Sequence, residues 1–387
     1  MAVQLLITDE DLVVQGDPLT GWRGLSSTRT RNEPGSGSVT LTAWPEVMAQ
    51  LQPGHRLVVI RDGVIWSAGP LEIPTDWAWS AADSDSVGPG RVTIQFADDL
   101  ARVAGYITWP SVSAAWTAQP ATGWWRVAGV SAEAAIRQLV NTNCGPGARA
   151  ERRIPRLALD ALAGVGSATT VSSRFEPLLD ACRRVALAGG DLEFRVRQVG
   201  EQLLFGCRAP VDRTGTARFS RGLGNLRAVA FKRSAPTVTH ALVAGTEEEG
   251  STTRAYVQVA DAAAAAAWYR VERFVSGSQA TDADFELTDA GRVALADGAA
   301  PVELSTVTID TPGLRAGLDF DLGDRVSVEL PGGIEVAELV RSMELRAEPD
   351  TGETVTAMVG SPDATRGQDQ VAVINELSRR LGNLEAR

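Results

Sequence analysis

FSRGLGNLRAVAFKRSAPTVTHALVAG, residues 219–245, is the stretch on which the reading of this chain turns. Its composition is that of β structure, and it returns the chain to strands after a mixed helix and strand region. Gly222-Leu223-Gly224 lacks the third glycine and the following helix that would cradle a pyrophosphate. These glycines therefore read as turn residues, not as a dinucleotide loop.

On the N-terminal side of this stretch, residues 106–215 read as an α+β module. Ser131 to Asn143 carries an N-cap serine, Glu133 in the first turn and an apolar face of Ala135, Ile136, Leu139 and Val140. A second helix runs from about Arg174 to Ala188, with Pro177 in its first turn and Gly189-Gly190 as its stop. Leu192–Arg197 alternates and pairs with Gln202–Cys207 across Gly200. Further back, residues 1–105 read as strands, and Arg61-Asp62-Gly63 joins His55–Ile60 to Val64–Gly69. An Asp-Gly between two β-rich runs is a strong hairpin signal, because a type I′ turn needs positive φ. On the C-terminal side, residues 246–300 read as a helical insertion, with helices at Asp261–Trp268 and Ala283–Asp297 and Asp282 as a cap. The β pattern resumes from Val302 through Met358.

An internal repeat links the two β regions. Gly54-His55-Arg56-Leu57-Val58-Val59 aligns with Gly323-Asp324-Arg325-Val326-Ser327-Val328. Each run leads to a glycine turn, Asp62-Gly63 or Gly332-Gly333, and then to another strand. The expected fold is mainly β with α+β insertions: two β-barrel domains related by pseudo-duplication, plus peripheral α/β modules. The domains expected are 1–105, a first barrel; 106–215, the α+β module; 216–245 with 301–360, a second barrel; 246–300, the helical insertion; and 361–387, a C-terminal helix. A length of 387 residues suits two to four domains.

Composition narrows the chemistry. The net charge of −11 argues against a nucleic-acid-binding surface, which needs a basic patch. Two readings of the acidity stand: solubility, or the wall of a passage through which DNA moves without sticking. The N-terminus has no basic n-region and no run of apolar residues long enough to span a bilayer, so a soluble chain without membrane insertion is expected. Lys232 is the one lysine; the other basic residues are arginine.

No constellation frames a catalyst, so the expectations are no catalytic residue, no cofactor and no metal. His55 and His240 are isolated strand residues, and no Gly-x-Ser-x-Gly elbow or Gly-x-x-x-x-Gly-Lys loop occurs. Cys144, Cys182 and Cys207 form no CxxC pair, and Cys182 and Cys207 read as buried small hydrophobes. The acids at Asp282, Asp284 and Glu286 and at Asp319, Asp321 and Asp324 alternate, as glycosidase pairs or calcium loops can. Solvated turns are the plainer reading, as is a solvated tip for Glu247-Glu248-Glu249. Trp77 with Trp79, and Trp109, Trp116, Trp124 and Trp125, read as core or interface residues, with a sugar-stacking platform as the alternative.

The 219–245 block resembles one found in the tail hub (baseplate hub, or minor tail) proteins of siphophages of high-GC Gram-positive bacteria, where a second strand such as Thr237–Gly245 follows a short proline turn. The resemblance extends to Asp310-Thr311-Pro312-Gly313-Leu314 and Leu322–Val328, and ends near Val359-Gly360-Ser361-Pro362. It implies tube-like barrels, a homotrimer whose six barrels match a six-fold tail tube, and a place at the tail tip of a virion made in the host cytoplasm. Implied partners are a distal tail protein or tube ring, tail-tip or receptor-binding proteins, the tape measure, and DNA in transit without specific binding. Asp319, Asp321 and Asp324 are candidate lumen acids. Gln368–Arg387 reads as a helix in which Ile374, Leu377, Leu381 and Leu384 make a two-heptad seam. That seam suits either its own domain or a bundle on the trimer axis. A cell-wall-degrading tail enzyme and a carbohydrate-binding tail-tip protein are the alternative functions.

Overall fold

In a computed structural model, residues 3–72, 77–78, 89–245, 254–276, 283–299, 302–349 and 352–360 are described. The chain opens with β1 (Val3–Thr8), β2 (Arg23–Thr30), β3 (Glu33–Thr42), the short helix α1 (Pro45–Gln50), β4 (Arg56–Arg61), β5 (Val64–Glu72), β6 (Trp77–Ala78), β7 (Arg91–Ala97) and α2 (Leu100–Ala104). Asp62 and Gly63 turn β4 into β5 at φ of 52° and 79°, the left-handed pair that the hairpin signal requires. Across the sheet the order is β1-β4-β5-β7-β3-β2, every pair antiparallel.

The module follows as β8 (Trp125–Ser131), α3 (Ala132–Asn143), β9 (Leu157–Leu159), β10 (Ala168–Ser173), α4 (Leu178–Ala188), β11 (Glu193–Val199) and β12 (Gln202–Arg208). Ser131 Oγ accepts from Ala134 N at 3.3 Å and so starts α3 where the sequence places it. The apolar faces of α3 and α4 meet β12 in a core of their own, around Ile136, Leu139, Leu178, Cys182, Phe194 and Phe205.

The rest of the chain runs β13 (Arg218–Phe219), β14 (Leu226–Arg233), β15 (His240–Ala244), β16 (Tyr256–Ala260), α5 (Ala262–Ala267), β17 (Glu272–Ser276), α6 (Ala283–Asp297), β18 (Val302–Thr308), β19 (Arg325–Leu330), β20 (Ile334–Glu348) and β21 (Gly352–Gly360). Its main path is β13-β19-β20-β21-β18-β14. Numbering the six strands of each path in chain order, both read first, fourth, fifth, sixth, third, second. The repeat seen in the sequence is thus a repeat of topology. Gly54 and Gly323 both have positive φ, 86° and 75°. The next carbonyls, of His55 and Asp324, accept from Leu71 N at 3.0 Å and Val340 N at 2.9 Å. One joint differs: β1 runs antiparallel to β4, whereas β13 runs parallel to β19.

The two halves are one sheet. β2 pairs antiparallel with β20, from Leu25↔Ala347 to Thr30↔Ser342. A single apolar core crosses the joint, containing Leu5, Leu57 and Phe96 from one half and Phe219, Val326 and Met343 from the other. No closed barrel forms among the described residues, so the expected pair of barrels becomes two six-strand halves of one open sheet. The backbone reason is that β20 is long enough to take β19 along its first part and both β21 and β2 along its second.

A second difference concerns 216–245. β15 leaves the main sheet and joins a three-stranded sheet, β16-β15-β17, with α6 over one face. β14 ends at Arg233, and Pro236, which has no N–H for a ladder, lies in the link to β15. Thr239 then anchors the new sheet by accepting from Val271 N at 2.8 Å and, through its carbonyl, from Asp261 N at 2.9 Å. Among the described residues of this region, β16 and β17 thus pair with β15, and α6 packs on them as an α/β unit.

Gly69 shows how closely β5 passes the end of β7. A Cβ there would stand 2.2 Å from the Ala97 carbonyl oxygen and 2.4 Å from the Asp98 carbonyl carbon, both backbone atoms. Gly69→Ala is expected to destabilise the fold by at least the ~1–3 kcal/mol typical of overpacking, read as a lowered denaturant midpoint.

Candidate functional site

The halves and the module meet at a set of buried ion pairs built almost entirely from arginine. Arg56 on β4 is wholly buried and grips Asp99, which precedes α2, through both Nε (2.9 Å) and Nη2. It also donates to Thr8 Oγ1 at 3.0 Å and to Gln198 Oε1 on β11 at 3.1 Å. One guanidinium thus ties β1, β4, α2 and the module hairpin. Arg61 does the same across the two halves, reaching Asp310, Glu353 and the Ala316 carbonyl. Arg31 and Arg341 flank Asp191 of the module.

The largest cluster surrounds the 319–324 loop. Asp321 is paired with Arg29 at 2.9 Å and Arg195 at 2.6 Å. Burial alone would raise its carboxyl, but the two arginines hold it well below the ordinary range. Glu193 pairs with Arg208 at 2.5 Å, and Arg208 reaches Asp324 at 2.8 Å. Burial outweighs these cations at Glu193, whose carboxyl is raised. Trp66 lies beneath Arg29 and Arg61, with guanidinium carbons 5.0 and 5.7 Å from its ring centroid. Arg29, Arg61, Trp66, Glu193, Arg195 and Asp321 line a cleft of ≈ 470 Å³ between β5, β11 and the 316–322 loop.

This geometry places the acids singled out in the sequence. Asp324 is 1% exposed and faces Arg208 and Arg213 inside the chain. Asp321 is likewise matched by arginine, and Asp319 accepts from Arg315 N at 2.7 Å on a half-buried turn. The negative charge of Asp321 and Asp324 is neutralised within one chain, which solvated turns do not require. The arginine partners come from positions up to 292 residues away from the acids they meet, so no local motif announces them. Ile374, Leu377, Leu381 and Leu384, the 247–249 glutamates, Asp282 and Trp79 lie outside the described residues, as do the side chains of Asp284 and Glu286.

The remaining candidates have structural partners. His55 Nδ1 lies 2.7 Å from the Gln50 carbonyl, and His240 Nδ1 lies 3.1 Å from Thr239 Oγ1. Burial pushes the Cys144 and Cys207 thiols up to about 12 and raises Cys182 well above its ordinary value, so none is a ready thiolate. No group of three His, Cys, Asp or Glu suited to a metal occurs among the described residues. No helix among them is long and apolar enough to cross a membrane. The tryptophans divide: Trp109 and Trp125 are buried, while Trp116 and Trp124 are exposed. Trp109 is covered by Arg152, 4.0 Å from its centroid, and by Trp116 at 5.6 Å.

The fold is shared with solved phage tail proteins. The 43 kDa tail protein of prophage MuSo2 from Shewanella oneidensis is 14% identical with a TM-score of 0.56, over 92% of this chain and 98% of that one. Prophage tail protein gp18 from Listeria monocytogenes is 11% identical with a TM-score of 0.57, over 98% and 99%. A tail protein from Neisseria meningitidis is 12% identical with a TM-score of 0.54, over 93% and 96%. No curated protein matches. The class is that of phage tail structural proteins. Residues 4–361 match the family model for Siphovirus ReqiPepy6 Gp37-like protein, and the chain belongs to that family.

Removing one partner of a buried pair leaves an uncompensated charge. Asp99→Leu is expected to cost ~3–5 kcal/mol, and the double variant Arg56→Met with Asp99→Leu to recover most of it, in a denaturation double-mutant cycle.

Asp98 carries a pH dependence. Burial pushes its carboxyl up to about 6, against the lowering effect of the Gly35 and Leu100 N–H donors. The folded value lies above the ordinary 3.8, so this group's contribution is fully present below about pH 4 and is lost as pH rises through about 6. Stability curves of wild type and Asp98→Asn should therefore diverge across that window, with the variant lacking the downward slope. Parallel curves would contradict the assignment.

Proposed function

We propose that this tail protein is the hub of the tail tip: a homotrimer that closes the distal end of the tail tube and anchors the proteins beyond it. The observation that carries the reading is the recurring strand order. Each chain supplies two quasi-equivalent six-strand halves, so three chains supply six and match a six-fold tube ring with a three-fold object. In the assembly, the halves of three chains close the open sheet into a tube-like ring, each half standing for one barrel of the expected pair. The α+β module (106–215) and the unit built on 246–300 pack outside it.

Further support comes from the ends of the halves. The matched hairpin turns carry exposed Ile65 and Ile334, placed to meet a distal tail protein or tube ring. β14 ends the strand path and leaves Phe231 exposed. The acidic balance, −11 overall, suits a lumen through which DNA and the tape measure pass without ion pairing. Of the three acids read as lumen residues, Asp319 keeps the most exposure. Residues 361–387, through Ile374, Leu377, Leu381 and Leu384, form the axial seam or the contact with receptor-binding proteins.

Native mass spectrometry of the full chain is expected to show a trimer, and Leu377→Asp with Leu381→Asp to weaken tail-tip assembly while leaving the far-ultraviolet circular dichroism unchanged. A strict monomer at micromolar concentration would overturn the hub reading. Normal assembly of the double variant would remove only the seam.

A further inference from the structure

We infer that the outer edge of β14 in one chain pairs antiparallel with the outer edge of β6 in the next copy, with Phe231 opposite Trp77 and Ala230 opposite Ala78. This pairing rests on the trimer reading and adds to it the strands and the register by which copies meet.

The template lies within the chain, because the two halves correspond residue by residue along their ladders. The His55 and Asp324 carbonyls accept from Leu71 N and Val340 N, at 3.0 and 2.9 Å, so Leu71 and Val340 hold the same place. Leu71 lies opposite Phe96, and Val340 opposite Val359. Phe96 lies opposite Gly37, and Val359 opposite Leu304. Gly37 lies opposite Ser27, and Leu304 opposite Phe231. Phe231 of β14 is therefore the counterpart of Ser27 of β2, and the two strands have the same length, 8 residues.

The far side of β2 is taken by β20, where Ser27 faces Leu345 and Ser26 faces Arg346. Leu345 lies opposite Val355, four residues before Val359. In the first half the residue four before Phe96 is Val92, and it lies opposite Trp77. Trp77 thus stands where Leu345 stands, and Ala78 where Arg346 stands. Among the described residues, β6 has a strand only on its β7 side and β14 only on its β18 side. Within one chain β7, β3, β2, β20, β21 and β18 separate these two edges. Each chain therefore holds one complete joint of this kind and the two unmatched edges of another, which a second copy brings together.

Burial marks the unmatched edge. Ser27, with β20 beside it, is wholly buried, whereas Phe231 is 42% exposed. Phe231 shares a face with Val229, which packs against the common core, so its ring stands in the core row with its outer side uncovered. A neighbouring strand would cover the ring and match the backbone groups of the edge at once. A slip of one residue would turn Phe231 to the other face, so the register is specified. The contact joins two different surfaces, and such head-to-tail contacts repeat until a ring closes.

The test pairs cysteines in the full chain under mild oxidation, read on non-reducing gels and by native mass spectrometry. Neighbouring antiparallel pairs alternate between close and wide types. Ala230→Cys with Ala78→Cys and Phe231→Cys with Trp77→Cys are therefore both made, since one of them has the close spacing that suits a disulfide. Ser26→Cys with Arg346→Cys and Ser27→Cys with Leu345→Cys, the same places in the intact joint, should close within one chain. The expected result is a covalent trimer from at least one of the β14–β6 pairs, and none from the single-cysteine variants or from the off-register Ala230→Cys with Glu72→Cys. Phe231→Asp should lose the trimer and keep its far-ultraviolet circular dichroism, because the side chain is exposed in the single chain. A trimer that neither pair crosslinks and that Phe231→Asp leaves intact overturns the pairing but not the hub reading. Crosslinked products that run past three copies support the pairing and overturn the trimer. A wild-type monomer that does not crosslink overturns both. Should Phe231→Asp fail to fold, the cysteine pairs carry the decision.

Discussion

The β2·β20 ladder is the joint on which the architecture depends. Without it each six-strand half would end in an unpaired edge, with its apolar face open to water on that side. With it, Leu25 and Met343 sit in one core and the two halves become a continuous surface. The joint is possible because β20 is 15 residues long and outruns its hairpin partner β19. A repeat of strand order has thus been converted into a single object by an asymmetry in strand length.

Apolar burial holds each core, but buried arginines decide how the parts are oriented. Arg56, Arg61, Arg31 and the Arg29–Asp321–Arg195 group each connect elements that share no apolar cluster or lie far apart in sequence. A guanidinium suits this task because its planar fork bonds in several fixed directions at once and keeps its charge when buried. Desolvation limits what such pairs add to stability, whereas geometry makes them selective for one arrangement.

Much of this was legible in the chain itself, because local physics sets it. Asp62-Gly63 demanded a left-handed turn, Ser131 started a helix, Gly189 ended another, and Gly54 and Gly323 marked the same strand entry twice. Each of these depends on a residue's own backbone freedom or on a neighbour three or four positions away. The family resemblance was legible for the same reason, being carried by turns and strand entries. Where strands paired was not. β15 reads like a continuation of β14, yet its ladder lies with β16 and β17, since strand composition does not name a partner. The open sheet in place of two barrels and the pairing of Asp321 and Asp324 with arginines from β2, β11, β12 and the stretch just beyond both arise from contacts between residues remote in sequence. Only the folded chain brings those residues together, and so only tertiary structure could decide them.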